Sequence, residues 1–354
     1  MEIGITGLRG SGKSELFRLL TGVDAASRPG AASVGVARVP DERLDALSAL
    51  YSPRKTTPAT VRYVDLPGVP EEHRGEAALV LPEVRTMDVL MVVVRGFDNP
   101  EVPHPLETVD PLRDLARVEE ELILSDQMVV ERRLERLDRD LAKRRTPELA
   151  AERELLVRCL EVLEAGEPLR SVPFSETEKL RLRGFTFLSL KPQLVVLNID
   201  ESAVGSAPLA ADVWTPWVAR PTTSATTVCA TIEREIAELD PEDAREFMDE
   251  LGIDRALDRL IRESYRLLGL ASFFTVGEDE CRAWSVREGT PAEEAAAVIH
   301  SDIQRGFIRA EAVRCEELLE AGSLPVCRQR GSLRLEGRTY PVRDGDVIHF
   351  RFAV

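Results

Sequence analysis

The sequence predicts an α/β fold built on a doubly wound parallel sheet, with an inserted pair of helices and a smaller α+β region late in the chain. Two runs, residues 89–94 and 194–197, are continuously apolar, which is typical of parallel strands that helices cover on both faces. Segments with strand-like and helix-like spacing alternate around them, as in folds of this class. A charged helical stretch after residue 110 and short alternating segments after residue 270 break the alternation and indicate additional parts.

The first strand, loop and helix carry the most specific motif in the chain. Residues 7–14 read Gly-Leu-Arg-Gly-Ser-Gly-Lys-Ser, which is a complete G-x-x-x-x-G-K-[ST] phosphate-binding loop. Ile3 and Ile5 alternate before it as in a short buried strand, and residues 16–20 have helical spacing after it. This order directs backbone N–H groups and the positive end of a helix dipole at a polyphosphate. We therefore favour a P-loop NTPase fold over a chance glycine turn, with Lys13 on the β- and γ-phosphates and Ser14 on Mg²⁺.

Composition limits the class of protein. The 354 residues predict two or three domains, and 44% hydrophobic with 31% charged residues is ordinary for a globular protein. The net charge of −16 argues against a protein that coats nucleic acid over its whole surface, although a local basic patch is compatible with it. Neither a membrane span nor a signal peptide is expected. Five scattered cysteines without a C-x-x-C pair predict free thiols and a cytoplasmic location.

A second nucleotide-site element follows the predicted strand at residues 61–64. Tyr63-Val-Asp-Leu-Pro-Gly68 places Asp65 at the end of a strand and a glycine turn directly after it. In P-loop proteins such an Asp holds Mg²⁺, and the N–H of a glycine in the position of Gly68 faces the γ-phosphate. D-x-x-G alone also fits a plain turn, but its place between the loop and the next apolar strand favours the metal-binding interpretation.

A third element ends the predicted strand at residues 194–198. Asn198-Ile-Asp-Glu201 stands where P-loop GTPases carry the base-reading Asn-Lys-x-Asp. A guanine-reading Asp accepts from two N–H donors of guanine, whereas adenine presents an N6 donor beside an N7 acceptor, which suits an Asn amide. Glu201 is one methylene longer than Asp, so we expect weak guanine selection. The alternative is a strand that ends in a polar turn.

Two later regions have their own patterns. Apolar positions three or four apart between residues 115 and 141, a break at 145–147 and a second run to residue 166 predict an antiparallel helical hairpin. Its basic and acidic residues are mixed, which is also the pattern of a solvated arm. After residue 270, short alternating segments, one helical stretch at 291–304 and a turn at Asp344-Gly345-Asp346 predict a small α+β domain.

Together these residues resemble the Obg-like ATPases, the YchF family of P-loop proteins, over nearly the whole chain. The last third resembles a TGS domain with a ubiquitin-like grasp fold. The resemblance implies an ATP-preferring member of the translation-factor GTPase class, in which residues 1–110 and 184–270 form the nucleotide-binding domain, 111–183 a coiled-coil arm and 271–354 the TGS domain. It rests on the phosphate-binding loop and on residues 39–47, 121–126, 198–201, 228–230, 232–233, 274–275, 282–284, 295–300, 305–311 and 344–352.

The resemblance also implies roles for individual residues. The phosphate contacts fall on the loop, the adenine-reading segment includes Asn198, Ile199 and Glu201, and Cys229 with Ala230 lies beside the base. Val69 occupies the position of the catalytic Gln of related enzymes. His104 matches a histidine that would position the attacking water, although a structural histidine in a proline-flanked loop is the stronger alternative. The loop residues predicted to contact nucleotide are Arg9, Gly10, Ser11, Gly12, Lys13, Ser14 and Glu15.

Several positions depart from the family pattern. Residues 29–33 lack the threonine that reaches Mg²⁺, and residues 69–74 lack the usual glycine- and lysine-rich stretch. We therefore expect slow hydrolysis of ATP, or of GTP as the alternative nucleotide, with Mg²⁺ as cofactor. A nucleotide-binding module without useful catalysis is the competing hypothesis, and a metabolic kinase is disfavoured because the TGS-like region has no role in one.

The expected partner is the ribosome or structured RNA. It would bind through the arm and the TGS-like domain of a monomer, because basic residues cluster at the end of each. These residues are Lys179, Arg181 and Arg183 near the end of the arm, and Arg328, Arg330, Arg334, Arg338 and Arg343 near the end of the chain. The alternative is two solvated basic faces.

Overall fold

A computed structural model describes residues 1–24, 32–66, 82–144, 146–206 and 214–353. It divides into two compact units, Met1–Val36 with Arg62–Leu260 and Ala37–Val61 with Ile261–Val354. The strands, in chain order, are β1 (Glu2–Thr6), β2 (Ser33–Arg38), β3 (Lys55–Thr57), β4 (Thr60–Asp65), β5 (Val89–Gly96), β6 (Gln193–Ile199), β7 (Thr223–Val228), β8 (Leu270–Thr275), β9 (Glu280–Arg287), β10 (Phe307–Arg314), β11 (Arg334–Glu336) and β12 (Asp346–Phe352).

The helices alternate with these strands in the first half of the chain and are interspersed with them in the second. In chain order they are α1 (Lys13–Thr21), α2 (Glu42–Tyr51), α3 (Pro82–Thr86), α4 (Pro111–Lys143), α5 (Pro147–Glu164), α6 (Glu176–Leu182), α7 (Thr215–Val218), α8 (Ala230–Glu238), α9 (Pro241–Leu251), α10 (Ala256–Leu267), α11 (Ala292–Ile299), α12 (Ser301–Arg305), α13 (Cys315–Ala321) and α14 (Leu324–Arg330). In the part of the chain that the structure describes, none of these helices is both long and apolar enough to cross a membrane.

The first sheet has the strand order β2-β4-β1-β5-β6-β7. β1 pairs in parallel with β4 on one side and β5 on the other, and β5–β6 and β6–β7 are also parallel. Every residue of β6 and nearly all of β5 are buried, as their continuous apolar runs predict. Because the strands are parallel, the carboxyl ends of β1, β4, β6 and β7 meet at one edge, where ligands bind in open α/β sheets.

The long helix α4 packs against α5 in a hairpin. Asp110 caps α4 by accepting from the N–H of Arg113, and Thr146 caps α5 by accepting from the N–H of Leu149. Apolar side chains along the seam form a buried cluster that includes Val130, Leu137 and Leu156. The charges of α4 are not uniformly solvated: its first half buries Asp114, Glu119, Glu121 and Asp126 against the rest of the first unit.

The second sheet has the strand order β11-β10-β12-β8-β9-β3. β12 is antiparallel to β10 and parallel to β8, which makes the sheet mixed. Its core holds Phe273, Ala295, Ala310, Ile348 and Phe350 beneath α11. β3 joins the sheet as an edge strand beside β9. Residues 37–61 therefore cluster with the C-terminal unit, whereas the boundaries predicted from sequence assign them to the nucleotide-binding domain, because such pairing is not visible from local pattern.

Candidate functional site

The phosphate-binding loop connects β1 to α1 through a tight turn. Gly10 and Gly12 have φ angles of 74° and 92°, in the left-handed region that side chains disfavour. A Cβ added to Gly12 would lie 2.4 Å from Nδ2 of Asn198, so the loop backbone passes directly against that side chain. Gly12 also caps α1, because its carbonyl accepts from the N–H of Leu16 at 2.9 Å. The loop therefore presents backbone N–H groups at the start of a helix, as the motif predicts.

Lys13 lies over the loop. Its ammonium donates to the carbonyl oxygen of Leu8 at 2.8 Å, and the residue is 8% exposed. Burial lowers the pKa of Lys13 to about 8, an effect that the Asp65 carboxylate opposes and the Arg9 guanidinium reinforces. A polyphosphate would supply the negative charge that this buried ammonium lacks.

Ser14 and Asp65 form the predicted metal-binding pair. The Ser14 hydroxyl donates to Oδ2 of Asp65 at 2.9 Å, while Oδ1 of Asp65 is buried and has no hydrogen-bond partner among the described residues. Burial raises the pKa of Asp65, with Ser14 and Lys13 acting against that shift. A hydroxyl and a carboxylate are hard oxygen donors of the kind Mg²⁺ prefers, so the pair fits that ion. No group of three or more His, Cys, Asp or Glu side chains in the described ranges could hold a metal, so other ligands would come from nucleotide and water.

Asn198 ties the loop to the next strand–helix turn. Its Nδ2 donates to the carbonyl oxygen of Ser11 at 3.1 Å, and its Oδ1 accepts from the N–H of Ala230 at 3.2 Å. The residue is 4% exposed. Each end of the amide keeps one unused hydrogen-bonding position, since an amide has two N–H donors and an oxygen with two lone pairs. The structure therefore gives Asn198 a tethering role in addition to the predicted base contact.

The other predicted base-site residues surround the ends of β6 and β7. Glu201 is exposed and begins a 3₁₀ turn, Glu201–Ala203, that Asp200 caps by accepting from the N–H of Ser202. Ile199 and Cys229 are buried and line a cavity of about 250 Å³. Burial raises the pKa of the Cys229 thiol, so this group is an apolar neighbour of the site and not a reactive thiolate.

His104 has partners for both ring nitrogens. Nδ1 accepts from the N–H of Leu106 at 3.1 Å, so the proton lies on Nε2, which donates to Oδ2 of Asp114 at 2.7 Å. The ring is buried and links its loop to the first turn of α4. This is the arrangement of the structural alternative, and the catalytic role of His104 stays a prediction. Gly68 and Val69 lie outside the described residues.

Arg95 is a site residue that the sequence interpretation missed. It lies at the end of β5 with 2% exposure, and its guanidinium stacks on Phe97 at 4.7 Å. It donates to four carbonyl oxygens: those of Phe97, Asn99, Val102 and, at 3.4 Å, Gly10 in the phosphate-binding loop. A lone Arg directly after the apolar run at residues 89–94 is the signal that could have revealed it, because a buried charge needs a dedicated set of partners.

Each of the two predicted basic surfaces has two arginines without an acidic partner among the described residues. Arg328 pairs with Glu311 at 3.1 Å, Arg338 with Glu293 at 3.4 Å and Arg334 with Asp346 at 3.5 Å. In the described chain, Arg330 and Arg343 have no acidic partner. Near the arm, Lys179 pairs with Glu176 at 2.8 Å, while Arg181 and Arg183 are exposed and have no acidic partner in the described ranges.

Comparisons with known proteins find similar chains and family models along this sequence. Residues 2–132 match a family model described as a 50S ribosome-binding GTPase, and residues 270–353 match the YchF-GTPase_C model, described as a protein of unknown function. The ribosome-binding ATPase YchF of Bacillus subtilis (strain 168) is 40% identical over 365 residues that cover 100% of both chains. Obg-like ATPase 1 of Caenorhabditis elegans is 32% identical, covering 99% of this chain and 92% of its own.

A solved structure extends the agreement to three dimensions. The Schizosaccharomyces pombe YchF GTPase matches with a TM-score of 0.86 at 28% identity, covering 99% of this chain and 97% of that one. The predicted fold class is therefore confirmed as a P-loop GTPase fold followed by a YchF-type C-terminal domain.

Proposed function

The chain belongs to the YchF family of Obg-like ATPases, and on that premise we propose that it binds ATP in preference to GTP with Mg²⁺, hydrolyses it slowly and acts as a ribosome- or RNA-associated switch. The observation that carries nucleotide binding is the phosphate end of the site. A buried ammonium, a hydroxyl and a glycine loop at a helix start lie in one strand–loop–helix unit, and the Asp65 carboxylate at the end of the neighbouring strand pairs with the hydroxyl.

Phosphate binding would use groups that already lie together at the loop. Lys13 would exchange the Leu8 carbonyl for oxygens of the β- and γ-phosphates, and the loop N–H groups would donate to the same phosphates. Ser14 and Asp65 would hold Mg²⁺, which when bound neutralises charge on the phosphate oxygens. These contacts bind and orient a triphosphate without providing a base for water.

The preference for adenine is proposed from the base end of the site. Asn198 keeps one N–H and one lone pair beyond its tethering bonds, which match the N7 acceptor and N6 donor of adenine. Glu201 replaces the shorter carboxylate that accepts from guanine, and it lies exposed after β6. We propose that Ile199, Cys229 and Ala230 complete the walls around the base.

Slow hydrolysis is proposed because the usual water-positioning group is absent from its place. Val69 is apolar at the position of the catalytic Gln, and both nitrogens of His104 are already engaged. In related enzymes an ordered Gln or an arginine finger raises the rate by about 10³ or more. A nucleotide-binding module without useful catalysis is the second candidate, favoured by the same two observations.

Calorimetric titration with ATP and with GTP, followed by single-turnover hydrolysis with and without ribosomes, tests both candidates. The proposal expects tighter ATP binding and measurable phosphate release that stays well below one turnover per second in the isolated chain. Tighter binding of GTP would contradict the base preference. Binding without phosphate release under either condition would favour the non-catalytic module.

The proposed partner follows from the relatives' names and from local charge. Relatives in several bacteria are named ribosome-binding ATPases. We propose that a monomeric, cytoplasmic chain docks through the arm and the TGS-like domain. Of the basic residues considered, Arg181, Arg183, Arg330 and Arg343 lack acidic partners in the described chain and are the best placed to meet phosphates.

Co-sedimentation with ribosomal subunits at low and moderate salt tests the docking surface. Substitution of these four arginines by glutamate should abolish association, while Arg338→Glu, at an arginine already paired with Glu293, should weaken it less. Association that is indifferent to salt or to the four substitutions would contradict this surface.

A further inference from the structure

Arg9 differs from the other arginines around the phosphate-binding loop. It is exposed, and it has no hydrogen-bond or ion-pair partner among the described residues. Arg18, on α1, pairs with Glu15 at 2.7 Å, and Arg95 donates to four backbone carbonyl oxygens. A cation placed inside a phosphate-binding loop and left without a protein partner is available for an anionic ligand.

The backbone on both sides of Arg9 is held in place. The carbonyl of Leu8 accepts from the ammonium of Lys13 at 2.8 Å, and the carbonyl of Gly10 accepts from Nη1 of Arg95 at 3.4 Å. Gly10 itself is closely packed, since a Cβ added there would lie 3.1 Å from Nη1 of Arg95 and 3.3 Å from Cγ1 of Val102. The position of Arg9 is therefore set by buried contacts, while its side chain is free to reach a ligand.

Arg9 and Lys13 meet at the same peptide group. The ammonium of Lys13 donates to the carbonyl oxygen of Leu8 at 2.8 Å, and that carbonyl belongs to the peptide bond that joins Leu8 to Arg9. Because Lys13 is the predicted ligand of the β- and γ-phosphates, a triphosphate bound there lies within the field of Arg9 as well. Bound phosphate would relieve the repulsion between the two cations.

We propose that Arg9 is a catalytic residue acting in cis, whose guanidinium contacts the γ-phosphate of bound ATP and stabilises the charge that develops during hydrolysis. This inference rests on the proposed ATPase function. It names the residue that would assist hydrolysis in a chain with Val, and not Gln, at position 69. A water oxygen bonds to the γ-phosphorus as the bond from that phosphorus to the β–γ bridging oxygen breaks. ADP leaves with the electron pair of that bond, and the proton of the water passes to a phosphate oxygen and then to solvent.

The geometry also limits what Arg9 does. A guanidinium stabilises equatorial phosphate oxygens but does not activate water, so the reaction remains slow without a positioned base. Arg9 is expected to distinguish a triphosphate from a diphosphate, because only the triphosphate carries the γ-phosphate that the guanidinium is proposed to contact.

The test compares Arg9→Ala and Arg9→Lys with Arg18→Ala in the full chain. Arg18→Ala is the matched control, because it removes a half-buried arginine from the adjoining helix, where its partner is Glu15. Three quantities are measured: the single-turnover rate with Mg²⁺ and ATP, the ratio of affinities for a non-hydrolysable ATP analogue and ADP, and the binding of fluoroaluminate with ADP.

The proposal expects Arg9→Ala to lower the hydrolysis rate at least about tenfold, to reduce the preference for the triphosphate analogue several-fold and to weaken fluoroaluminate capture. ADP affinity should stay within about twofold. Arg9→Lys should retain analogue binding better than hydrolysis, because a point charge cannot make the bidentate contact. Arg18→Ala should change none of these quantities.

Different failures point to different errors. If the wild-type chain hydrolyses ATP and Arg9→Ala leaves all three quantities unchanged, the Arg9 proposal is overturned while the proposed function stands. An equal loss of ADP and analogue affinity in Arg9→Ala would also overturn it, since that indicates general damage to the loop. If the wild-type chain binds the analogue but releases no phosphate, both the slow-hydrolysis proposal and the catalytic role of Arg9 are overturned.

Discussion

The phosphate end and the base end of the candidate nucleotide site are built on opposite principles. At the phosphate end, Oδ1 of Asp65 and Oγ of Ser11 are buried without a hydrogen-bond partner among the described residues. At the base end, Asn198 already gives both ends of its amide to backbone groups. Buried polar groups nearly always have hydrogen-bond partners in native proteins. A buried polar atom without a partner therefore indicates where a ligand contributes most. Groups that already have partners, such as the Asn198 amide, also maintain the shape of the site.

Removing the cation at the phosphate end should give the largest effect. Lys13→Ala deletes the only buried ammonium beside the loop in the described chain, so affinity for ATP and GTP should both fall roughly a hundredfold or more. Lys179→Ala, at an exposed lysine paired with Glu176, is the control and should leave binding unchanged. Calorimetric titration measures both, and an Lys13→Ala chain that still binds ATP tightly would contradict the proposed phosphate contacts.

Removing the tether at the base end should act on folding before it acts on selectivity. Asn198→Ala leaves the carbonyl of Ser11 and the N–H of Ala230 without their partner, which costs about 1–3 kcal/mol of unfolding free energy per group left buried and unmet. Urea denaturation without nucleotide measures this loss.

Asn99→Ala is the matched control, because among the described residues the Asn99 side chain accepts only from the N–H of Glu101, in an exposed turn. A stability change no larger than that of the control would show that Asn198 is not a structural tether, and would make base contact its main role.

A substitution in the metal-binding pair, Ser14 and Asp65, should lower the affinity for ATP only when Mg²⁺ is present. Ser14→Ala removes one oxygen donor and the partner of Asp65, so ATP affinity should fall about tenfold in the presence of Mg²⁺. In excess chelator the variant and the wild type should bind ATP alike, because the hydroxyl then has no ion to hold. A loss of affinity that persists in chelator would indicate damage to the loop and not to the metal site.

The same contrast explains what the sequence could predict. The phosphate end is local: the loop, Lys13 and Ser14 lie within one strand–loop–helix unit, and Asp65 ends the neighbouring strand. A spacing motif describes such a unit fully. The contacts of Asn198 with Ser11 and of Arg95 with Gly10 join residues 187 and 85 positions apart, and no local period encodes them.

The sequence interpretation also missed that α4 buries some of its acidic side chains, for a related reason. Asp126 is fully buried and accepts from the N–H groups of Leu188 and Ser189 and from the Ser189 hydroxyl. Asp138, further along the same helix, is exposed and pairs with Arg153. Asp126 stands between apolar residues at 122–124 and 128–130, whereas Asp138 stands among the mixed charges of residues 135–140. Only the three-dimensional contact with residues 188–189 shows that the Asp126 carboxylate is an anchor.

The smallest expected effect concerns the exposed residue of the base end. Glu201→Asp shortens the carboxylate to the length that accepts from guanine, so the preference for ATP over GTP should fall by up to about tenfold, or about 1.4 kcal/mol. Glu201→Gln separates charge from length, since it keeps the longer side chain and removes the carboxylate. Competition calorimetry with both nucleotides measures the ratio for each variant. Because Glu201 lies at the surface and its side chain is not part of the tether, neither variant should change the unfolding free energy, and a selectivity unchanged in both would assign base preference to Asn198 and the walls of the site alone.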